Sequence, residues 1–365
     1  MKLEPRQRAL LAAVIERYVE NAEPIGSATL VADPRFCAQF GQVSSATVRN
    51  ELAELEAAGL LAHPHTSAGR VPTDAGYRLY VNEMLRPRRM KPSERARINS
   101  QVAPPISSVE DALREATTAL VKLIGYPAIA SLPNAKSDTM RHLQINPVPP
   151  HRLILVLVTS AGRIEHRLFE VEEEVPAARL TTVVNFLNDK LGGRSLGTLR
   201  TLHFEDVAAG LHDAPTVALA RRAWDLVSQS LSDLSDDGII VQGLTTLLNE
   251  PEFADIGHAR AAIRLLEDAG VMSGLLRDSV IFPVRASGGD LSRPYAIVIG
   301  KELPHANPES NSALERFSFV GVAYGAGGEV LGTVGVMGPT RMKYADAITL
   351  VPALAARLQV CLETM

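Results

Sequence analysis

Hydrophobic positions in the first ninety residues recur at helical spacing in several short blocks. Leu10, Leu11, Val14, Ile15 and Tyr18 mark one face of a helix over residues 5–21, and Pro5 suits its first turn. Pro24-Ile25-Gly26 breaks that helix, and Ser27 is placed to cap a second one running to Val31. The stretch from Ala32 to Gln42 reads as a lengthened turn, with Phe36, Cys37 and Phe40 as packing residues. Val48, Leu52 and Leu55 are the stripe of a third helix over residues 44–58, capped by a serine of the Val43-Ser44-Ser45 start and ended by Gly59. The pattern then changes. Leu60 to His63 reads as a short strand, Pro64 to Arg70 as a turn-rich loop, and Val71-Pro72 as a return strand cut short by proline. Thr73 caps a further helix, with Asp74 near its positive end. Helices followed by a hairpin and a helix predict a winged helix-turn-helix in residues 1–90.

A basic, proline-flanked segment from Arg86 to Pro92 reads as a linker, and helices are expected at 93–102 and 107–124. From Met140 onward the period shortens. Strands are expected at 152–159 and 163–171, joined at Ser160-Ala161-Gly162, and again at 280–284, 295–300, 317–324 and 329–337. The last two would form a hairpin across Gly325 to Gly328. A mixed sheet is expected in which 152–171 lies against 317–337. Between them runs a mainly helical stretch, 175–275, with helices at 180–191, 216–234 and 256–269. The chain ends in a helix from Tyr344 to Leu362, bent at Pro352. The reading is α+β and multidomain.

On the third helix the face opposite the apolar stripe carries Ser45, Ala46, Arg49, Asn50 and Ala53. It is small, polar and singly basic. Arg bonds guanine and Asn bonds adenine in bidentate fashion, so such a face suits a DNA major groove. It equally suits an ordinary solvated helix, and the hairpin that follows turns the reading toward DNA. The DNA-facing set is then Ser27, Ser44, Ser45, Thr47, Arg49 and Asn50, with Thr66, Ser67 and Arg70 at the hairpin tip beside phosphates. Bulk charge adds little. The formal net charge is −4, and residues 1–90 hold 11 Lys and Arg against 10 Asp and Glu, leaving +1 there and −5 in the remainder. Any DNA contact must therefore come from local placement rather than from a basic domain. The 2 cysteines give neither a disulfide framework nor metal spacing, and His63 and His65 lack further ligands nearby. Gly325 to Gly328 lacks the GxGxxG spacing of a phosphate loop, and no nucleophile elbow occurs. No catalytic residues, metal site or cofactor are expected. With no apolar leader after Met1 and no uninterrupted apolar run of membrane length, the expected location is cytoplasmic.

The stretch VSSATVRNELAELEAAGLL followed by PHTSAGRVPTDAGYR closely resembles the heat-inducible transcription repressor family HrcA. A second block, Gly332 to Tyr344 (GTVGVMGPTRMKY), is similar to that family's C-terminal signature. The resemblance implies a winged-helix DNA-binding domain at 1–90, a GAF-like domain at 91–174 plus 276–365, and an inserted dimerising domain at 175–275. It further implies a homodimer that represses chaperone operons from an inverted-repeat CIRCE operator in double-stranded DNA, with activity supported by the GroEL chaperonin. Residues 32–42 are longer than the family usually has there. The alternative is a metabolite-responsive regulator whose GAF-like domain binds a small effector; no cluster of convergent polar groups supports it in the sequence.

Overall fold

A computed structural model describes residues 3–41, 43–64, 69–103, 106, 108–133, 138–160, 162–233, 238–279, 283–284, 295–303, 313–326 and 329–364. The chain divides into two compact units, one of residues 1–102, 114–130 and 239–360, the other of residues 103–113, 131–238 and 361–365.

The first unit opens with α1 (Pro5–Asn21), α2 (Ser27–Val31), α3 (Pro34–Phe40) and α4 (Ser45–Ala57). Proline begins α1, and Ala22 in the left-handed region ends it. Leu10, Leu11, Val14, Leu30, Val48 and Leu55 are almost wholly buried, so the apolar stripes meet in one small core. Two local expectations are revised. Gly26, not Ser27, is the N-cap of α2, and Ser27 is its first helical residue. The lengthened turn contains α3, where Phe36 is buried and its ring lies 5.2 Å from that of Phe40. Asp33, just before α3, is held by Arg17 Nε at 3.0 Å. The hairpin of β1 (Leu61–Ala62) and β2 (Val71–Pro72) follows, then α5 (Asp74–Glu83), whose Thr73 cap accepts the Gly76 N–H at 3.1 Å.

After α6 (Pro92–Gln101) and α7 (Val109–Ile124), the rest of this unit is built on a six-stranded sheet of order β7-β3-β11-β10-β9-β8. Its strands are β3 (Ala128–Ser131), β7 (Ile239–Gln242), β8 (Pro283–Val284), β9 (Tyr295–Ile299), β10 (Phe317–Ala326) and β11 (Glu329–Pro339). β9 is buried at every position, as expected of a strand covered on both faces. Phe317 and Phe319 of β10 point into a cluster with Leu265 and Leu266 of α12 (Ile256–Glu267) and Met272 and Leu276 of α13 (Ala269–Ser279). Ser318, on the alternate side, shares a hydrogen bond of 2.7 Å with Tyr344 at the start of α14 (Tyr344–Glu363). Length and composition would let α14 cross a membrane, but Ile348, Val351, Leu354 and Leu358 are buried in the protein.

The second unit contains β4 (Met140–Val148), β5 (Arg152–Thr159) and β6 (Ile164–Glu170), an antiparallel sheet of order β4-β5-β6. Its helices are α8 (Ala177–Leu191), α9 (Leu196–Leu199), α10 (Phe204–Val207) and α11 (Ala214–Asp233). β5 alternates buried and half-buried residues. Leu153, Leu155 and Leu157 pack with Val183, Leu187, Phe204 and Trp224 of the helices. Asn188 of α8 accepts the Leu143 N–H and donates to the Leu143 carbonyl, both at 2.8 Å, and so occupies part of the β4 edge.

The expected pairing of 152–171 with 317–337 does not occur. Three strands contiguous in sequence close on one another through short turns, which costs little chain entropy, and their single apolar face is satisfied by α8 and α11. The remote partner of β11 is instead β3, with Val334 opposite Ala130. Accordingly the second unit takes in the three-stranded sheet, beginning near 131 and ending near 238, and the stretch 239–279 packs with the six-stranded sheet rather than with the helices expected at 175–275.

Candidate nucleic-acid interface

Helix α4 presents two distinct faces. Val48, Leu52 and Leu55 are buried, while Ala46, Arg49, Asn50 and Ala53 are exposed. Ser44 is the N-cap: its Oγ accepts the Thr47 N–H at 3.0 Å and lies 2.8 Å from Thr47 Oγ1. A cap of this kind stabilises a helix by about 1 kcal/mol and holds its first turn. Ser45 Oγ lies 3.0 Å from Ser27 Oγ, so these two expected site residues join α4 to α2. Ser27, Ser44, Ser45 and Thr47 therefore spend their hydroxyls on one another or on backbone, whereas Arg49 and Asn50 project outward beside them.

Three carboxylates follow on α4, and each is tied to a neighbouring element. Glu51 is buried against Arg6 of α1, Nε to Oε1 at 2.5 Å. Glu54 accepts from Gln7 Nε2 at 2.8 Å. Glu56 lies 2.8 Å from Arg70 Nε. Sequence reading missed Arg6, Gln7 and Glu56. The acidic run Glu51, Glu54, Glu56 behind a single arginine was the available signal, because such carboxylates call for partners.

Arg70 departs from expectation. It stands at the loop end of the hairpin, immediately before β2, and its backbone N–H and carbonyl bond Ile25 in both directions at 2.9 Å. Its side chain is 18% exposed and pairs with Glu56. The cause is the close approach of the two backbones: a Cβ on Gly69 would come within 2.4 Å of the Ile25 carbonyl carbon. Thr66 and Ser67 lie outside the described residues.

The same unit binds its N-terminal helices to the sheet through cationic pins. Arg341, from the block GTVGVMGPTRMKY, donates to Glu252 at 2.6 and 3.1 Å, to Glu250 at 2.5 Å and to the Val19 carbonyl at 3.1 Å. Arg78 of α5 donates to Glu302 and to the Ile297 carbonyl, each at 2.8 Å. Arg88 in the expected linker bonds Glu94 at 2.7 and 2.8 Å and also pairs with Asp346. The linker arginine at 88 is thus engaged by protein carboxylates. Burial, aided by the Glu252 carboxylate and opposed by Arg341, raises the Tyr18 phenol above its ordinary range, and burial pushes the Tyr126 phenol up to about 12.

Among the described residues no group of three or more His, Cys, Asp or Glu is placed to hold a metal. A cavity of about 710 Å³ lies in the second unit, lined by Pro147, Pro149, His151, Arg152, Val175 and Leu180.

Comparison with known proteins places the chain in a family. The family model described as HrcA protein C terminal domain matches residues 110–348. Heat-inducible transcription repressor HrcA of Moorella thermoacetica is 33% identical over 366 residues, covering 100% of this chain and 99% of that protein. The protein of the same name from Geobacter sulfurreducens is 35% identical, covering 99% and 98%. A crystal structure described as that of a hypothetical protein is similar with a TM-score of 0.61 at 22% identity, covering 100% of this chain and 99% of its own, which speaks for a shared fold. The class is that of a multidomain α+β transcription repressor, which is not a class of enzyme. The chain belongs to the HrcA family, whose matched members carry the name heat-inducible transcription repressor.

Proposed function

We propose that the chain is a cytoplasmic repressor that binds an inverted-repeat operator of the CIRCE type ahead of chaperone genes. Residues 1–90 act as a winged helix-turn-helix, with α4 as the recognition helix and the β1–β2 hairpin as the wing. The observation that carries this reading is α4 itself: a serine-capped helix with one face buried and Arg49 and Asn50 free on the other. Side chains of that pair reach guanine and adenine edges in a major groove, while Ser44, Ser45 and Thr47 approach backbone phosphates at the helix start. Two such helices, one from each subunit of a homodimer, read the two halves of a palindrome. Operator titration at fixed salt tests it: Arg49→Ala and Asn50→Ala each weaken binding by about 1–3 kcal/mol and relax sequence preference. Wild-type affinity in both variants would remove α4 from the groove.

The six-stranded sheet unit is read as the GAF-like domain, and the unit around 131–238 as the dimerising insertion. The latter rests on β6, where Ile164 and Leu168 are 64% and 50% exposed on one face of an uncovered edge strand. GroEL-type chaperonin support follows from folding physics. β3 must find β11 about two hundred residues away, and chains with such closures fold slowly and expose apolar strands meanwhile. Chaperonin with ATP is expected to raise the fraction of purified protein able to bind operator; no change would count against the link. The effector-sensing alternative would draw on the cavity of about 710 Å³, which lies in the second unit.

A further inference from the structure

We propose that Glu56 is an internal stand-in for DNA phosphate, and that Arg70 exchanges it for the DNA backbone when the repressor binds. The inference rests on the reading of α4 and the hairpin as the DNA-binding elements, and adds to it a positioning residue, Glu56, and a change of partner.

The backbone at Arg70 is tied to Ile25. Both of its main-chain groups bond Ile25 at 2.9 Å, and Gly69 leaves no space even for a Cβ against that same residue. The side chain carries no such backbone tie. It is drawn toward the C-terminal turn of α4, where Nε lies 2.8 Å from Glu56 Oε2. That Nε makes no well-aligned hydrogen bond, so the contact is charge attraction without the fork geometry that makes arginine–carboxylate pairs strong. Glu56 is 35% exposed and Arg70 18%, so water reaches the carboxylate side of the pair while the Arg70 Nε itself is buried. Pairs of this kind are weak. A phosphate in a duplex offers the same charge backed by its neighbours along the strand, and binding there releases a condensed counterion. The exchange is therefore favourable on DNA and reverses off it.

The arrangement also bears on how few unpaired cations surround α4. With Arg6 on Glu51 and Arg70 on Glu56, two of the cations nearest α4 are neutralised until a polyanion competes for one of them. Arg6 is the weaker candidate for exchange because its partner Glu51 is buried, and removing the arginine would strand that carboxylate.

The test uses the full-length protein with a random-sequence duplex and with operator duplex, titrated across a salt series. Arg70→Ala lowers the slope of log K against log salt by about 0.9 on both duplexes, the contribution of one phosphate contact. Glu56→Gln removes the competitor and raises affinity on both by about two- to five-fold, the range set by a weak exposed pair. In the Arg70→Ala background Glu56→Gln has no effect. Arg70→Lys, which keeps the charge and the Ile25 backbone bonds, retains the slope and controls for misfolding. An unchanged slope in Arg70→Ala would show that Arg70 never leaves Glu56 and would overturn the exchange. So would a Glu56→Gln variant that binds more weakly, since the pair would then be a structural brace. Wild-type protein that binds neither duplex would overturn the DNA-binding reading itself, a result distinct from either of those.

Discussion

Replacing Arg341 with alanine is the sharpest test of how the N-terminal helices are held to the sheet. Its side chain is 7% exposed and its guanidinium faces Glu250 and Glu252, whose side chains are only 17% and 23% exposed. It also donates to the Val19 carbonyl in the last turn of α1, where a cation complements the negative end of the helix. Removing one partner of a fully buried ion pair costs about 3–5 kcal/mol, mostly for the charge left behind. Here the two glutamates keep some contact with water, so that part falls to about 2–3 kcal/mol. The lost bond to Val19 contributes about 1 kcal/mol more. The expected destabilisation is about 3–4 kcal/mol, read as a shift in the midpoint of urea unfolding followed by far-UV circular dichroism. The single tryptophan, Trp224, is buried in the other unit and reports that unit separately by fluorescence. Its transition is expected to move less. Because the cost comes from stranded charge, the triple change Arg341→Met, Glu250→Gln, Glu252→Gln recovers most of the loss. A loss in Arg341→Ala below about 1 kcal/mol, or a triple variant less stable than the single one, would refute the reasoning from buried charge.

Two further outcomes are expected. Leu168→Lys places a charge on the exposed face of β6 and is expected to give monomers by light scattering while leaving Trp224 fluorescence unchanged; a persistent dimer would exclude this face as the subunit contact. The Arg88 guanidinium holds the Glu94 carboxyl at about 2, below the 4.5 of a free glutamate, so the stabilisation is complete above 4.5 and is lost as pH falls from there through about 2. Glu94→Gln is therefore expected to flatten acid unfolding in that window, and a variant whose stability falls as steeply as the wild type would assign the acid sensitivity elsewhere.

Much of the candidate interface was legible from residues alone because its determinants are local. Serine at the start of α4, the Val48-Leu52-Leu55 stripe and the Thr73 cap act within one or two helical turns, and each is found as the spacing predicts. α3 escaped notice because seven residues are too few to display a helical period, and Pro34 with two phenylalanines reads equally well as a turn. Ser27 could be seen to lie at a helix start, but not that its hydroxyl would meet Ser45 rather than cap α2.

What the sequence could not decide was partnership. Alternation marks 152–159 and 164–170 as strands, yet says nothing about which other strand they join. Closing a loop of two hundred residues costs only about 1 kcal/mol more than closing one of fifty, so among remote partners chain distance does not choose, although it favours a neighbour joined by a short turn. Side-chain fit does: β5 found helices to cover its leucines, while β11, with Gly335 allowing close approach to the Val320 carbonyl, stayed in the covered sheet. Charge behaves the same way. Arg70 was visible as a cation beside a turn, but whether it faced phosphate or Glu56 depended on Ile25, forty-five residues earlier, fixing its backbone. Periodicity and caps belong to the sequence because their energies act between near neighbours. Strand order, ion-pair choice and the Arg341 anchor belong to the tertiary structure because each is settled by which distant surface happens to be complementary.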